Sequence, residues 1–176
     1  MSGVVVMELD LFNYKIDKNR TADKVDHFLT NKFVTFRNIA GATASDLSSP
    51  LLDPSGVVNH SNKSEVQDLY FMGYAEQYKQ IEGCQNVVKA VLKAMESCPN
   101  GPQHPYGSLL YTKYIKMITA TNVYTDMEFS KGSYYTYRKD ALVTFAQILP
   151  SKMLRYAPEQ FSWVPNLIVK SKLNDN

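Results

Sequence analysis

The stretch between Ile115 and Pro150 restricts the fold more than any other part of the chain, because its apolar residues recur with the period of a helix. These residues lie three and four positions apart and form one stripe: Tyr134, Tyr137, Ala141, Leu142, Phe145 and Ile148. Ser130 stands where its hydroxyl can cap the helix, and Pro150 stands where a helix is expected to end. The pattern predicts a helix over 131–150 that packs one face against a core.

The opposite face of this predicted helix is small, polar or basic over its first turns: Lys131, Gly132, Ser133, Tyr135, Thr136 and Lys139. Upstream, Ile118, Val123 and Met127 indicate a shorter helix that begins near Thr119 or Thr121, and residues 128–129 are left for the turn. A short helix, a tight turn and a longer helix with a polar N-terminal face form a helix-turn-helix that can enter the DNA major groove. The alternative is an ordinary helical hairpin in an all-α core.

The chain has 176 residues, of which 44% are hydrophobic. This is enough apolar side chain for one hydrophobic core and a second small one. Charge is divided unevenly along the chain. Residues 1–106 carry ten Lys/Arg and twelve Asp/Glu, whereas residues 107–176 carry nine and five, so the net charges are −2 and +4. A basic C-terminal part favours phosphate binding, although a chance division of surface charge gives the same numbers.

The rest of the chain predicts an all-α protein. The run 21–40 reads as a helix followed by Gly41 as its C-cap, and 41–63 reads as a long polar loop. Ser64 begins a capping box, after which an apolar stripe continues almost to Cys98, as one kinked helix or two helices around Gly73 and Gly83. A helix of this length could pair with a second copy of itself, so a homodimer is one interpretation.

Three segments follow from these patterns. Residues 1–98 form an N-terminal helical region, 106–150 a helix-turn-helix domain and 151–176 a C-terminal tail, with a proline-rich linker at 98–105. At the N-terminus, residues 9–16 alternate partly between apolar and polar and indicate an extended segment or a packed arm. Trp163, which lies in the tail, is expected to dock on the bundle or to contact a partner.

The sequence offers no residues for an enzyme, a cofactor or a metal site. It lacks a phosphate-binding glycine loop, a nucleophile–base arrangement and metal-ligand spacing, and its three histidines are scattered. Cys84 and Cys98 are expected to be reduced thiols that are at least half-buried. The N-terminus has neither the charge nor the length of a signal peptide or membrane span, so we expect a cytoplasmic protein that does not bind membranes.

The chain resembles the ArpU family of phage-encoded transcriptional regulators of Gram-positive bacteria. The likeness lies in KIDKNRTADKVDHFLTNKFVTFRNIAG at 15–41, in the Ser/Pro/Asn-rich loop at 48–65 and, most specifically, in FSKGSYYTYRKDALVTFAQIL at 129–149. The C-terminal part is also similar to region 4 of sigma factors. The resemblance implies a DNA-binding activator of late phage genes for packaging and structural proteins. One departure is Glu128, which occupies a turn position that usually holds glycine and so favours a turn built differently.

The resulting hypothesis is a sequence-specific regulator that binds double-stranded DNA. Base edges are expected to meet Lys131, Ser133, Tyr135, Thr136 and Lys139. Phosphates are expected to meet Arg138 and the hydroxyls of Thr119 and Thr121, with further contributions from Lys113 and Lys116. The alternative is a protein-interaction module that binds RNA polymerase or a phage-borne or satellite-borne modulator protein.

Overall fold

A computed structural model of the chain describes residues 15–42 and 75–171, and this part is mostly helical, as predicted. Its elements, in chain order, are α1 (Lys18–His27), a π-helical turn (Phe28–Lys32), α2 (Phe33–Ile39), α3 (Ala75–Glu96), β1 (Asn100–Gly101), β2 (His104–Pro105), α4 (Tyr106–Leu110), a second π-helical turn (Tyr111–Ile115), α5 (Ala120–Asp126), α6 (Lys131–Tyr156) and a 3-10 helix (Pro158–Trp163). None of the described helices has both the length and the apolar character needed to cross a membrane.

The helix predicted at 21–40 is confirmed, and it begins three residues earlier than expected. Asp17 caps α1, because its carboxylate accepts a hydrogen bond of 3.0 Å from the backbone N–H of Arg20. At the other end Gly41 adopts φ +68°, which places it in the left-handed region. Its N–H donates to the Asn38 carbonyl and that of Ala42 donates to the Arg37 carbonyl, which completes a glycine C-cap.

Helix α3 passes through Gly83 without interruption, so no break separates two helices there. Gly73 and the capping box at Ser64 lie outside the described residues, as does most of the polar loop 41–63. The buried stripe of α3 packs inside this chain: Gly83, Cys84, Val87, Val88, Ala90, Val91, Ala94 and Met95. Homodimer formation stays a prediction, and this stripe gives it no exposed apolar surface.

Helix α6 continues through Pro150 to Tyr156, so the prediction that it ends at Pro150 is wrong. Proline has no N–H for the helix and its ring crowds the preceding turn, at a cost of about 3 kcal/mol in a helix interior. Pro150 itself is exposed, but Leu149 and Met153 on either side of it are almost fully buried. Burial of two such side chains contributes about 1.5–3 kcal/mol each, which offsets the cost.

The main core takes residues from α1, α2, α3, α4 and α6 and from the segment that follows α6. Its largest side chains that are almost fully buried include Phe33, Phe145, Leu29, Met95, Leu110, Ile115, Leu142 and Met153. Helix α6 packs against α1, α3 and α4, so its middle turns form the wall that these helices share. The apolar stripe predicted for this helix is therefore confirmed.

The C-terminal segment docks on the bundle. The Trp163 ring stacks on Phe36, with 6.3 Å between ring centroids and 19° between ring planes. The segment then runs back to the start of α1, where Ile16 and Lys170 form an antiparallel bridge. Gly83 lies beneath the indole, and an alanine Cβ at this position would meet Trp163 Cη2 at 2.6 Å. Because Gly83 has no side chain, the Trp163 ring can pack directly against α3.

Replacing Gly83 with alanine should therefore displace the indole and lower the free energy of unfolding by about 1–3 kcal/mol, measured by urea denaturation. In a Trp163→Leu background the same substitution should raise the free energy of unfolding by up to about 1 kcal/mol, because alanine favours a helix more than glycine does. Equal effects of Gly83→Ala in the two backgrounds would show that the contact with Trp163 does not determine its cost.

Candidate nucleic-acid interface

The turn between α5 and α6 is built around a residue in the left-handed conformation, although no glycine is present. Glu128 has φ +57°, and its N–H donates to the Thr125 carbonyl at 3.1 Å. The N–H of Phe129 donates to the Tyr124 carbonyl at 2.8 Å, which gives the hydrogen-bond pair of a Schellman motif. The expectation that Glu128 imposes a different turn is therefore wrong, and the glutamate carries the strain itself.

Both helices of this pair have side-chain caps at the predicted places. Thr119 caps α5 by accepting a hydrogen bond of 3.4 Å from the Asn122 N–H. Ser130 caps α6 by accepting one of 3.1 Å from the Ser133 N–H. Met117, just before α5, is a second left-handed residue without being glycine, with φ +57°. Helix α5 is thus bracketed by two tight turns that fix where it starts and where it ends.

A small second core lies beneath α5 and the first turns of α6. It consists of Leu109, Val123 and Tyr134, all fully buried. The Tyr134 ring contacts Tyr124 at 5.7 Å between centroids, and the Phe129 ring meets Tyr137 edge to face at 5.2 Å. Aromatic contacts of this kind favour particular ring angles. They hold α5 against α6 in one orientation.

Tyr137 is half-buried and packs against both this cluster and the main core, so it connects the two. The Tyr134 hydroxyl is buried and has no hydrogen-bond partner among the described residues. Helix α5 is packed onto the bundle through α6, because Tyr137 of α6 contacts both clusters.

The predicted polar face of α6 is exposed at its N-terminal end. Lys131, Gly132, Ser133, Tyr135 and Thr136 are exposed and Lys139 is half-buried. Tyr135 is 47% exposed, and its ring rests edge-on against the Tyr134 ring. We call Lys131, Ser133, Tyr135, Thr136 and Lys139 the polar face. It presents two ammonium groups, three hydroxyls and an aromatic ring over about 12 Å of helix axis.

The other predicted contact residues lie around the start of α5. Thr121 is exposed, and the hydroxyl of the exposed Thr119 is engaged in the cap. Lys113 donates to the Ile118 carbonyl at 3.5 Å, and the Lys116 ammonium lies 5.9 Å from the centroid of the Tyr111 ring. Lys113 lies within the second π-helical turn and Lys116 is its C-cap, so both lysines precede Thr119 and Thr121 by a few residues in the chain.

Arg138 is placed differently from the prediction that it contacts phosphates. Its guanidinium forms an ion pair with the Asp26 carboxylate on α1, and its side chain is only 24% exposed. The Tyr114 hydroxyl donates to the same carboxylate. Burial by itself would lower the pKa of Arg138, but Tyr114 and Asp26 raise it above its usual value. Arg138 thus connects α6 to α1 and is not free for a phosphate.

A second arginine donates a hydrogen bond to the backbone of the same π-helical turn. Arg37 of α2 is 5% exposed and donates to the Tyr114 carbonyl at 3.4 Å. Burial lowers the pKa of Arg37, since the charged form is separated from water. Burial and the hydrogen bond to Asp26 raise the pKa of the Tyr114 hydroxyl. Tyr114 is therefore fixed through both its carbonyl and its hydroxyl by helices near the N-terminus.

Sequence reasoning did not find Asp26, Arg37 or Tyr114 as residues that support the helix pair. Asp26 and Arg138 are 112 positions apart, and no periodicity within one helix relates them. The one available signal was that Arg138 lies at the border between the apolar stripe and the polar face. A charged residue at such a border can turn inward if another helix supplies its partner.

The described residues offer no metal site, because no three of their His, Cys, Asp and Glu side chains are grouped to hold an ion. Cys84 and Cys98 are both buried and free of disulfides, which confirms the prediction for them. Burial raises the pKa of the Cys98 thiol to about 12, so the thiolate form that reacts as a nucleophile is suppressed.

Replacing Glu128 with glycine should raise the free energy of unfolding by about 1 kcal/mol, because the left-handed conformation is strained for a residue with a Cβ. Thermal or urea unfolding measures the change. Asp126→Gly is the matched control, since Asp126 is a helical residue at the end of α5, two positions earlier, and its replacement should lower the same free energy by about 0.3 kcal/mol. Destabilisation by both substitutions would contradict the positive φ at Glu128.

Replacing Asp26 with asparagine should lower the free energy of unfolding by about 1–2 kcal/mol, since it leaves the Arg138 guanidinium half-buried without a counter-ion. The control is Asp140→Asn, which breaks the 3.5 Å pair with Lys18. The Lys18 side chain is 64% exposed, so this loss should stay within about 0.5 kcal/mol. Equal losses in urea denaturation would mean that the Asp26 pair is as weak as a surface pair.

Comparison of the chain with protein-family models, with curated proteins and with solved structures returns no match.

Proposed function

We propose that this chain is a transcriptional regulator that binds double-stranded DNA sequence-specifically, with helix α6 as the reading helix of a sigma-region-4-like helix-turn-helix. The observation that carries the proposal is the exposed polar face at the N-terminal end of a long helix that follows a short helix and a tight turn. In helix-turn-helix proteins the N-terminal residues of the second helix contact base edges.

The size and chemistry of the polar face fit the DNA major groove. An α-helix with its side chains is about 10–12 Å in diameter, which matches the major-groove width of about 12 Å. Lysine ammonium groups donate to the guanine acceptors, hydroxyls donate or accept, and an exposed aromatic ring can contact a thymine methyl group. Lys131, Ser133, Tyr135, Thr136 and Lys139 would thus read sequence, each through a group the major groove can distinguish.

Phosphate contacts would come from the start of α5. Thr119, Thr121, Lys113 and Lys116 combine hydroxyls and positive charges at the point where the first helix of such a pair crosses the DNA backbone. Arg138 is omitted from this set because it is paired with Asp26. The resemblance to ArpU regulators extends the proposal to activation of late phage genes, with host RNA polymerase as a partner.

A second candidate function is binding of a protein through the C-terminal end of α6 and the 3-10 helix that follows it. Leu154 is 62% exposed and Phe161 is 42% exposed, and both lie beyond Pro150, away from the polar face. Exposed apolar side chains of this size are typical of protein contacts when they are grouped. Such an interface would serve a DNA-bound activator or a module that binds only RNA polymerase or a modulator protein.

The test measures binding of the full chain to tiled duplexes from its own genomic neighbourhood. Fluorescence anisotropy is the readout, at two salt concentrations and with random duplex as competitor. A specific reader should bind one tile tightly and lose affinity steeply with salt, because bound phosphates release counterions. Equal binding to every tile would overturn sequence-specific reading and favour the protein-interaction candidate, whose apolar contacts depend little on salt.

On the preferred tile, Thr136→Ala and Lys131→Ala should each lose about 1–3 kcal/mol of binding free energy. Lys79→Ala is the matched control, because Lys79 is an exposed lysine on α3 and outside the polar face. It should bind the tile as the unchanged chain does. Equal losses for Lys79→Ala and Lys131→Ala would show that the polar face does not read the DNA.

A further inference from the structure

Gly132 is an exposed glycine in the first turn of α6, between Lys131 and Ser133. After proline, glycine is the residue that favours a helix least, so a glycine inside a helix calls for a reason. Its φ is not in the left-handed region, so the backbone there does not require glycine. A Cβ built on Gly132 would meet only the Ser130 Oγ, at 4.0 Å, so there is also room for a side chain.

The other described glycines show what such a reason looks like. Gly41 has φ +68°, and a Cβ on Gly83 or Gly107 would meet another atom at 2.6 or 3.1 Å. Gly101 is as open as Gly132, but it lies in the β1–β2 hairpin, where it weakens no helix. Gly132 is thus a helical glycine that the described part of the chain does not itself require.

Gly132 lies in the middle of the polar face. Successive residues of an α-helix are about 100° apart around its axis, so the face extends over about 200° from Lys131 to Ser133, with Gly132 halfway. Thr136 is its neighbour one turn further on, and the Thr136 hydroxyl donates to the Gly132 carbonyl at 3.2 Å. Long and polar side chains therefore flank a patch where the helix backbone itself is exposed.

We propose that Gly132 is the point of closest contact between α6 and DNA, where a base-pair edge on the floor of the major groove lies against the helix backbone. This inference rests on the proposed function. The middle of a reading face is nearest to the floor of the groove, and a missing Cβ lets the backbone approach a ligand closely. Gly132 is thus a positioning residue, which sets the depth at which the flanking side chains reach base edges.

The test uses Gly132→Ala in the full chain, for which stability and DNA binding should change in opposite directions. Alanine favours the helix and has room in the free protein, so the melting temperature should rise by up to about 4 °C. On the preferred tile the added methyl group should raise the Kd about tenfold, because an overpacked contact forces atoms apart. Binding to random duplex depends on phosphates and should change by less than about twofold.

Gly101→Ala is the matched control, because a Cβ there also meets no atom within 4 Å and the residue lies outside the polar face. It should bind the tile as the unchanged chain does. If Gly132→Ala binds the tile as tightly as the unchanged chain, the close contact is overturned while sequence-specific binding stands. An equal loss on random duplex, or a fall in melting temperature with the loss of binding, would also overturn it. If the unchanged chain prefers no tile, the proposed function fails and the close contact fails with it.

Discussion

The packing of the α6 stripe against α1, α3 and α4 is the contact on which the rest of this structure depends. Ala141, Leu142 and Phe145 are almost fully buried in it, so the middle of the helix cannot move without opening the core. The two ends of the same helix are then fixed in space. One end holds the polar face, and the other, which packs against the 3-10 helix, lies about 25 Å away along the helix axis.

The polar contacts around Tyr114 add what apolar packing alone does not supply, a defined orientation. Arg138, Asp26 and Arg37 bring charged groups from α6, α1 and α2 onto one π-helical turn. Hydrogen bonds are directional and a half-buried charge is costly without its partner, so this arrangement disfavours a rotated α6. The turn leads directly into α5, and the angle between α5 and α6 depends on it.

Most of the helices could be predicted from the sequence, because each one reflects a local property. The stripe at Tyr134 to Ile148, the cap at Ser130 and the left-handed Gly41 are set by residues close to one another in the chain. The extension of α6 through Pro150 could not be predicted this way, since the burial that offsets the proline comes from distant residues. Glu128 shows the same limit, because the rings of Phe129, Tyr137, Tyr124 and Tyr134 hold the turn that it strains.

In the candidate site, too, some features follow from residues close in sequence and others depend on distant residues. Exposure of Lys131, Ser133, Tyr135 and Thr136 follows from helical phase, and the structure agrees with that part of the sequence analysis. Arg138 has nearly the same phase as Lys131, seven residues earlier, yet an aspartate on another helix pairs with it. A phase argument therefore identifies which side chains can face outward but not which of them remain unpaired. For a reading helix this distinction decides function, because an arginine held by Asp26 contributes to the shape of the site and a free lysine beside it contributes to binding.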